Sequence, residues 1–153
     1  MFNIVLVNPQ IPQNTGSIGR ICVNTNVKLH IIKPISFNID EKAVRRAGMD
    51  YWKFLDLEIW DSLEQFLSLH DKSIERFFFA TTKSDKAYFK AKFQKGDFLF
   101  FGGESTGLPM KLMKKNPNNM ITIPMKENGR SLNLSVSVGI VLYEAIRQNF
   151  DEF

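Results

Sequence analysis

Apolar residues come along this chain in short unbroken runs, separated by longer stretches in which they recur every three to four positions. The runs at residues 2–7, 29–32, 77–80, 98–101 and 120–123 predict strands. Their lack of polar alternation is the pattern of strands covered on both faces. Between them, the helical period predicts helices at 16–25, 39–47, 61–69 and 109–115, then a long helix from about 133 to 149. Strands alternating with helices imply βαβ units, hence an α/β fold with a parallel sheet and helices on both faces. No repeat, low-complexity stretch or linker interrupts the pattern. The expectation is therefore a single domain over residues 1–153, close to the ~150-residue norm. A chain of that size buries roughly 70% of its unfolded surface and needs no covalent staple.

The long last helix has an unusual pattern. From Leu132 to Tyr143 it carries no Lys, Arg, Asp or Glu. Leu134, Val138, Val141, Leu142 and Ala145 form one apolar stripe at helical spacing, and Val136, Ile140 and Tyr143 form a second. One stripe suffices for a surface helix. Two imply cover on both sides, one from the helix's own domain and one from elsewhere.

Charge sharpens the picture more than composition does. The net charge is +4, but it is unevenly spread. From Lys83 to Lys95 there are five lysines against one acid, and from Asp56 to Glu75 six acids against one lysine. One region attracts phosphates while the other repels them, unless both are simply solvated faces. Cys22 is the only cysteine, which fits a reducing cytoplasm and, on the core stripe of its helix, a small buried hydrophobe. The N-terminal Met-Phe-Asn-Ile-Val-Leu-Val has no basic leader and soon meets Pro9 and Pro12, so no signal peptide is read there. No apolar run approaches the ~20 residues that cross a bilayer, so no membrane partner is expected and the expected location is cytoplasmic. His30 and His70 belong to no ligand-spaced cluster, and no metal is expected.

In open α/β sheets, ligands collect beyond the carboxyl ends of the strands. Three loops there carry candidate chemistry. In the first, Asn14 or Thr15 can cap the following helix, and Arg20 lies about 200° around that helix from Ile18, away from the core. A solvated arginine is the alternative. The second, Phe101-Gly-Gly-Glu-Ser-Thr-Gly-Leu-Pro109, is a glycine-rich turn whose backbone N–H groups can approach a ligand. It is neither a Walker loop nor a G-x-G-x-x-G fingerprint, and a structural turn explains it equally. The third gathers Glu127, Asn128, Gly129, Arg130, Ser131 and Asn133 before the last helix, where Ser131 or Asn133 could serve only as its cap.

Taken together, Asn14-Thr-Gly-Ser-Ile-Gly-Arg20, Gly102-Gly-Glu-Ser-Thr-Gly-Leu-Pro109 and Ile123-Pro-Met…Ser131-Leu-Asn-Leu-Ser135 resemble, in order and spacing, the three motifs of the SPOUT-class RNA 2′-O-ribose methyltransferases. The chain looks most like the short single-domain branch acting on the wobble nucleotide of tRNA, a cytidine or modified uridine in certain leucine tRNAs. The resemblance spans Phe2 to about Asn149. It includes Leu29-His-Ile-Ile-Lys-Pro34, Arg45-Arg-Ala-Gly-Met-Asp-Tyr51 and Ala80-Thr-Thr-Lys83. Thr106 departs from it, since many relatives carry a basic side chain there.

The resemblance implies a C-terminal trefoil knot, a homodimer, tRNA as substrate and S-adenosyl-L-methionine as cofactor. By motif position it implies a cofactor site of Ala80, Thr81, Gly102, Gly103, Glu104, Ile123, Met125, Ser131 and Leu132. Arg20 is implied as the catalytic residue, with Asn14, Ser131 and Asn133 shaping the site. Lys126, Arg130, Arg45 and Arg46, with Arg20, are the expected RNA contacts. Two other readings stand beside this one: a non-catalytic RNA-binding module, and a nucleotide-binding domain such as a small oxidoreductase, which leaves the missing G-x-G-x-x-G unexplained.

Overall fold

The computed structural model describes residues 1–40, 42 and 50–153. The apolar runs are strands: β1 (Asn3–Val7), β2 (Lys28–Ile32), β3 (Leu57–Trp60), β4 (Phe77–Ala80), β5 (Phe98–Gly102) and β6 (Met120–Ile121). They form one sheet in the order β3-β2-β1-β5-β4-β6, with every neighbouring pair parallel. Side chains alternate between two apolar layers. Ile4, Leu6, Leu29, Ile31, Phe78, Leu99 and Phe101 face one layer, and Val5, Val7, Ile32, Phe77, Phe79 and Phe100 face the other. That two-sided burial is why the runs show no alternation of polar residues.

Helices cover both faces. On one side lie α1 (Pro12–Thr25), through Ile18 and Cys22, and the last helix, α4 (Leu134–Gln148), through Leu134, Val138, Val141, Leu142 and Ala145. On the other lie α2 (Leu63–His70), through Phe66, and the single turn α3 (Met110–Met113), through Leu112 and Met113. Among the described residues the second stripe of α4 is only partly covered, with Val136 49% and Tyr143 52% exposed and Ile140 half-buried. The far end of α4 is fastened by side chains. Gln148 bonds Phe93 N and Ala91 O, and Asn149 bonds Phe93 O, at 2.9–3.0 Å.

Several expectations need correction. Strand β3 was not anticipated. It is an edge strand of four residues whose Leu57, Glu58 and Ile59 are only partly covered or exposed, so it lacks the apolar density of its neighbours. The first helix starts at Pro12, not residue 16, because proline fits the first helical turn and Ile11 takes the cap position. Asn14 and Thr15 therefore lie inside the helix and do not cap it. The last strand stops at Ile121, with Thr122 held only by a bridge to Ala87. Of the helix expected at 39–47, residues 39 and 40 are not helical, and most of the remainder, with Arg45 and Arg46, lies outside the described residues.

One buried polar group tunes the fold. His30 on β2 is 2% exposed, accepts from Trp60 Nε1 at Nδ1 (3.1 Å) and faces Asn3 Oδ1 from Nε2 (3.3 Å). Burial, reinforced by the Lys28 charge, pushes its pKa down to about 4. The folded protein thus holds His30 neutral while the unfolded chain protonates it near 6.5. Stability from this group is complete above pH ~6.5 and is lost as pH falls toward 4, by about 2 kcal/mol between pH 7 and 5. Urea unfolding followed by tryptophan fluorescence should show that loss. His30→Gln should flatten the slope, and a flat wild-type profile would refute the assignment.

Candidate active site

The register of the sheet decides which loops meet. Val7 sits opposite Ile32 on one side and Gly102 on the other, and Ala80 lies opposite Phe101 and Ile121. The loops leaving β1, β4, β5 and β6 therefore emerge level with one another at the carboxyl edge. The strand order also reverses here: the chain runs from β1 outward to β2 and β3, then returns on the other side with β5, β4 and β6. Crevices form at such switch points.

A cleft of about 550 Å³ opens at this edge. Ala80, Thr81, Gly102, Gly103, Glu104, Ile123, Met125, Ser131 and Leu132 all line it, together with Asn14 and Asn133. Every residue expected at the cofactor site is thus brought to one cavity. Sequence reasoning singled out no role for other lining residues, including Ile11, Thr122 and Ser137. They line the cleft by neighbouring the residues it did single out.

Glycine is required where the loop after β5 folds back. A Cβ on Gly102 would lie 2.0 Å from Gly107 C, and one on Gly103 would lie 2.5 Å from Asn8 O. The turn closes through Gly107 N–H donating to Gly103 O at 2.8 Å, with Gly107 at φ +65°. Without Cβ atoms at 102 and 103 the loop packs back on itself and against Asn8 beside the cleft.

Glu104 ties the loops together. Its carboxylate accepts from the main-chain N–H of Gln10 (2.7 Å) and Ile11 (3.1 Å) and from Asn14 Nδ2 (3.0 Å). Partial burial works to raise its pKa, but the Asn14 amide and the backbone donors outweigh it and hold the carboxyl below the ordinary value. Asn14 Oδ1 in turn accepts from Asn133 Nδ2 at 2.9 Å. Asn133 spends its own Oδ1 on the first turn of α4, accepting from Ser135 N (2.9 Å) and Val136 N (3.3 Å). The expected cap is thus Asn133 and not Ser131. Each amide is oriented by what it bonds, so one chain of contacts links the loop after β5, the start of α1 and the start of α4. Gln10, which sequence reasoning passed over, adds a clamp: its Oε1 accepts from Ser105 N (2.8 Å) and Ser105 Oγ (2.7 Å).

The cations are placed differently. Arg20 is exposed and does not line the cleft. Its guanidinium lies over the Tyr51 ring, 4.9 Å from the centroid, while Tyr51 OH donates to Gly16 O at 3.0 Å. Lys126 and Arg130 are exposed on a turn closed by Gly129 N–H to Lys126 O (2.8 Å), outside the cleft lining. Cys22 is buried on α1, with its thiol pushed up to about 12 by burial, which removes it from nucleophilic chemistry. No helix among the described residues is long and apolar enough to cross a membrane.

A profile of the SpoU rRNA Methylase family matches residues 1–143. The chain belongs to the SpoU methylase family. A tRNA (cytidine(34)-2'-O)-methyltransferase of Yersinia pestis is 44% identical over 152 residues, covering 97% of this chain and 94% of that protein. A solved structure from work on the 2-OH methylation of C/U34 on tRNA superposes with a TM-score of 0.91 at 38% identity, covering 99% of this chain and 97% of its own. The SpoU methyltransferase AviRb of Streptomyces viridochromogenes, in complex with the cofactor AdoMet, shares the fold at a TM-score of 0.82 and 22% identity, over 97% of this chain and 57% of its own. The SpoU methylase chain described here is thus matched along nearly its whole length by its nearer relatives.

The contact between Glu104 and Asn14 yields a prediction. Asn14→Asp keeps the shape but sets a second carboxylate against the first and removes the donor. It should cost about 2 kcal/mol of unfolding free energy at pH 7, with the deficit against wild type shrinking toward pH 5 as the pair takes up a proton. Asn14→Ala should show a deficit with little pH dependence. Equal deficits in the two variants at every pH, measured by urea titration, would refute the placement.

Proposed function

We propose that this chain transfers a methyl group from S-adenosyl-L-methionine to the ribose 2′-hydroxyl of nucleotide 34, the wobble position of leucine tRNAs. The observation that carries the reading is the convergence of three separate loops on one cleft, through Glu104, Asn14 and Asn133. The near relatives named for methylation at position 34 support the substrate.

The residues present fit the cofactor. The cleft has the size of a cofactor site, and the glycine-rich residues 102–107 line it. In this reading the backbone of Ile123 and Leu132 recognises the adenine, and Gly102 lies near the ribose. Ala80, Thr81, Gly103, Met125 and Ser131 complete the walls. When bound, the cofactor would supply a methyl on a sulfonium for transfer to the ribose oxygen, with S-adenosyl-L-homocysteine as the other product.

The protein's task is to hold the hydroxyl in line and ease the loss of its proton. Asn14 and Asn133, fixed by their mutual bond, and Ser131 shape the place of the ribose. Arg20, as a guanidinium of pKa above ~12, acts as a fixed cation and not as a base. It is steadied by Tyr51 and an RNA phosphate and stabilises the developing alkoxide, while the proton passes to a phosphate or water. Lys126, Arg130, Arg45 and Arg46 contact phosphates.

The working unit in this reading is a homodimer of single-domain chains in the cytoplasm, with the exposed Val136 and Tyr143 and the half-buried Ile140 of α4 meeting a second copy. The segment from β6 through α4 is taken to be threaded as a trefoil knot. Residues 131–137 return to a cleft already walled by residues 80–83 and 102–107, which supports that path.

Purified protein, labelled S-adenosyl-L-methionine and tRNA from a strain lacking the gene should give label on the ribose of nucleotide 34 in leucine tRNAs. Label at another ribose would correct the substrate, and no label on any RNA would overturn the reading. Arg20→Ala should lower transfer by ~10²-fold or more while cofactor affinity stays near wild type. Arg20→Lys, which keeps charge but loses the guanidinium fork, should recover only part of it.

A further inference from the structure

A second cleft, of about 520 Å³, lies beside the first. It is walled by the ends of β1 and β2 and by the loop after β5, and its lining includes Asn8, Pro9, Pro34, Ile35 and Pro109. Thr106 and Gly107 line both clefts, so the folded-back loop at 103–107 is the partition between them. We propose that this second cleft receives an unpaired nucleobase of the substrate RNA, one that flanks the nucleotide being methylated. The proposal rests on the methyl-transfer reading above.

The lining selects the ligand class. Three pyrrolidine rings and Ile35 offer flat apolar surface, and no charged side chain among the described residues lines the cleft, which disfavours a phosphate. The polar groups suit the edge of a base. Gln10 spends its Oε1 twice on Ser105, leaving its Nε2 donors without a partner among the described residues. Asn8 donates Nδ2 to Ile32 O at 3.3 Å, which turns its Oδ1 into the remaining acceptor. Unspent amide donors and an unspent amide acceptor on neighbouring residues match the mixed edge of a nucleobase. Sequence-specific proteins read single-stranded RNA by seating splayed bases in such pockets. The shared partition places the occupant within a nucleotide or so of the transferred methyl.

Anticodon stem-loops, each with one abasic nucleotide in the loop, test this against the full chain. Ile35 lines the second cleft and not the first, so Ile35→Trp fills the one and spares the other. Ile35→Trp should raise KM for the intact stem-loop by about tenfold, the worth of one seated base, with kcat and cofactor affinity unchanged. That penalty should vanish on one abasic stem-loop whose missing base flanks nucleotide 34, while Ile35→Val behaves as wild type. Should Ile35→Trp fail to fold, Ser36→Trp at the exposed rim carries the same comparison. A penalty of equal size on every stem-loop, or no penalty, would overturn the proposal. Fluorescence anisotropy of stem-loop binding reads the same pattern without any methyl transfer. Loss of activity in the wild type would thus count against the proposed reaction, and loss of the abasic pattern against the cleft.

Discussion

The carboxylate of Glu104 is where three distant stretches of chain meet. It satisfies two main-chain donors ahead of α1 and fixes the Asn14 amide, which passes the constraint to Asn133 and so to the first turn of α4. A half-buried carboxylate is costly to hold unless its lone pairs are met. Here they are met by the Gln10 and Ile11 N–H groups and the Asn14 amide, which the carboxylate in turn fixes in place. The mutual dependence makes the cleft a property of the whole edge of the sheet and not of any one loop. The glycine turn at 102–107, the clamp from Gln10 and the cap of α4 all take their positions from that junction.

Most of the architecture was legible because its physics is local. Runs such as Phe77-Phe-Phe-Ala80 and Phe98-Leu-Phe-Phe101 can only be buried on both faces, and that alone points to a parallel sheet under helices. The two stripes of α4 were likewise visible, one buried in the chain and the other partly exposed. What escaped was set by partners far away in sequence. Leu57-Glu-Ile-Trp60 becomes a strand only because β2 offers it an edge, and its own residues are too mixed to announce it.

The site shows the same division. Asn14, Glu104 and Asn133 were read as neighbours through their motifs, and their joint cleft is in the structure. Their bonds span 90 to 119 residues and have no local signature. Gln10 carried no signal at all, since a glutamine in a proline-rich loop looks like any solvated side chain until Ser105 is placed beside it. Arg20 was expected to point away from the core of α1 and does, stacked on Tyr51 and outside the cleft lining.

The uneven charge of the chain acquires a place in the fold once the packing is known. The acid-rich stretch from Asp56 to Glu75 starts on β3 at one edge, crosses the sheet on α2, where Phe66 packs on Phe77 and Phe98, and ends beside β6, where Asn119 donates to Glu75 O. Two of its acids are already matched by Lys28 and Lys33. The lysines from Lys83 to Lys95, met by one acid within their own segment, follow β4 as a largely exposed basic run. A polyanion is drawn toward that run before it makes any contact, over about a Debye length, ~8 Å in physiological salt.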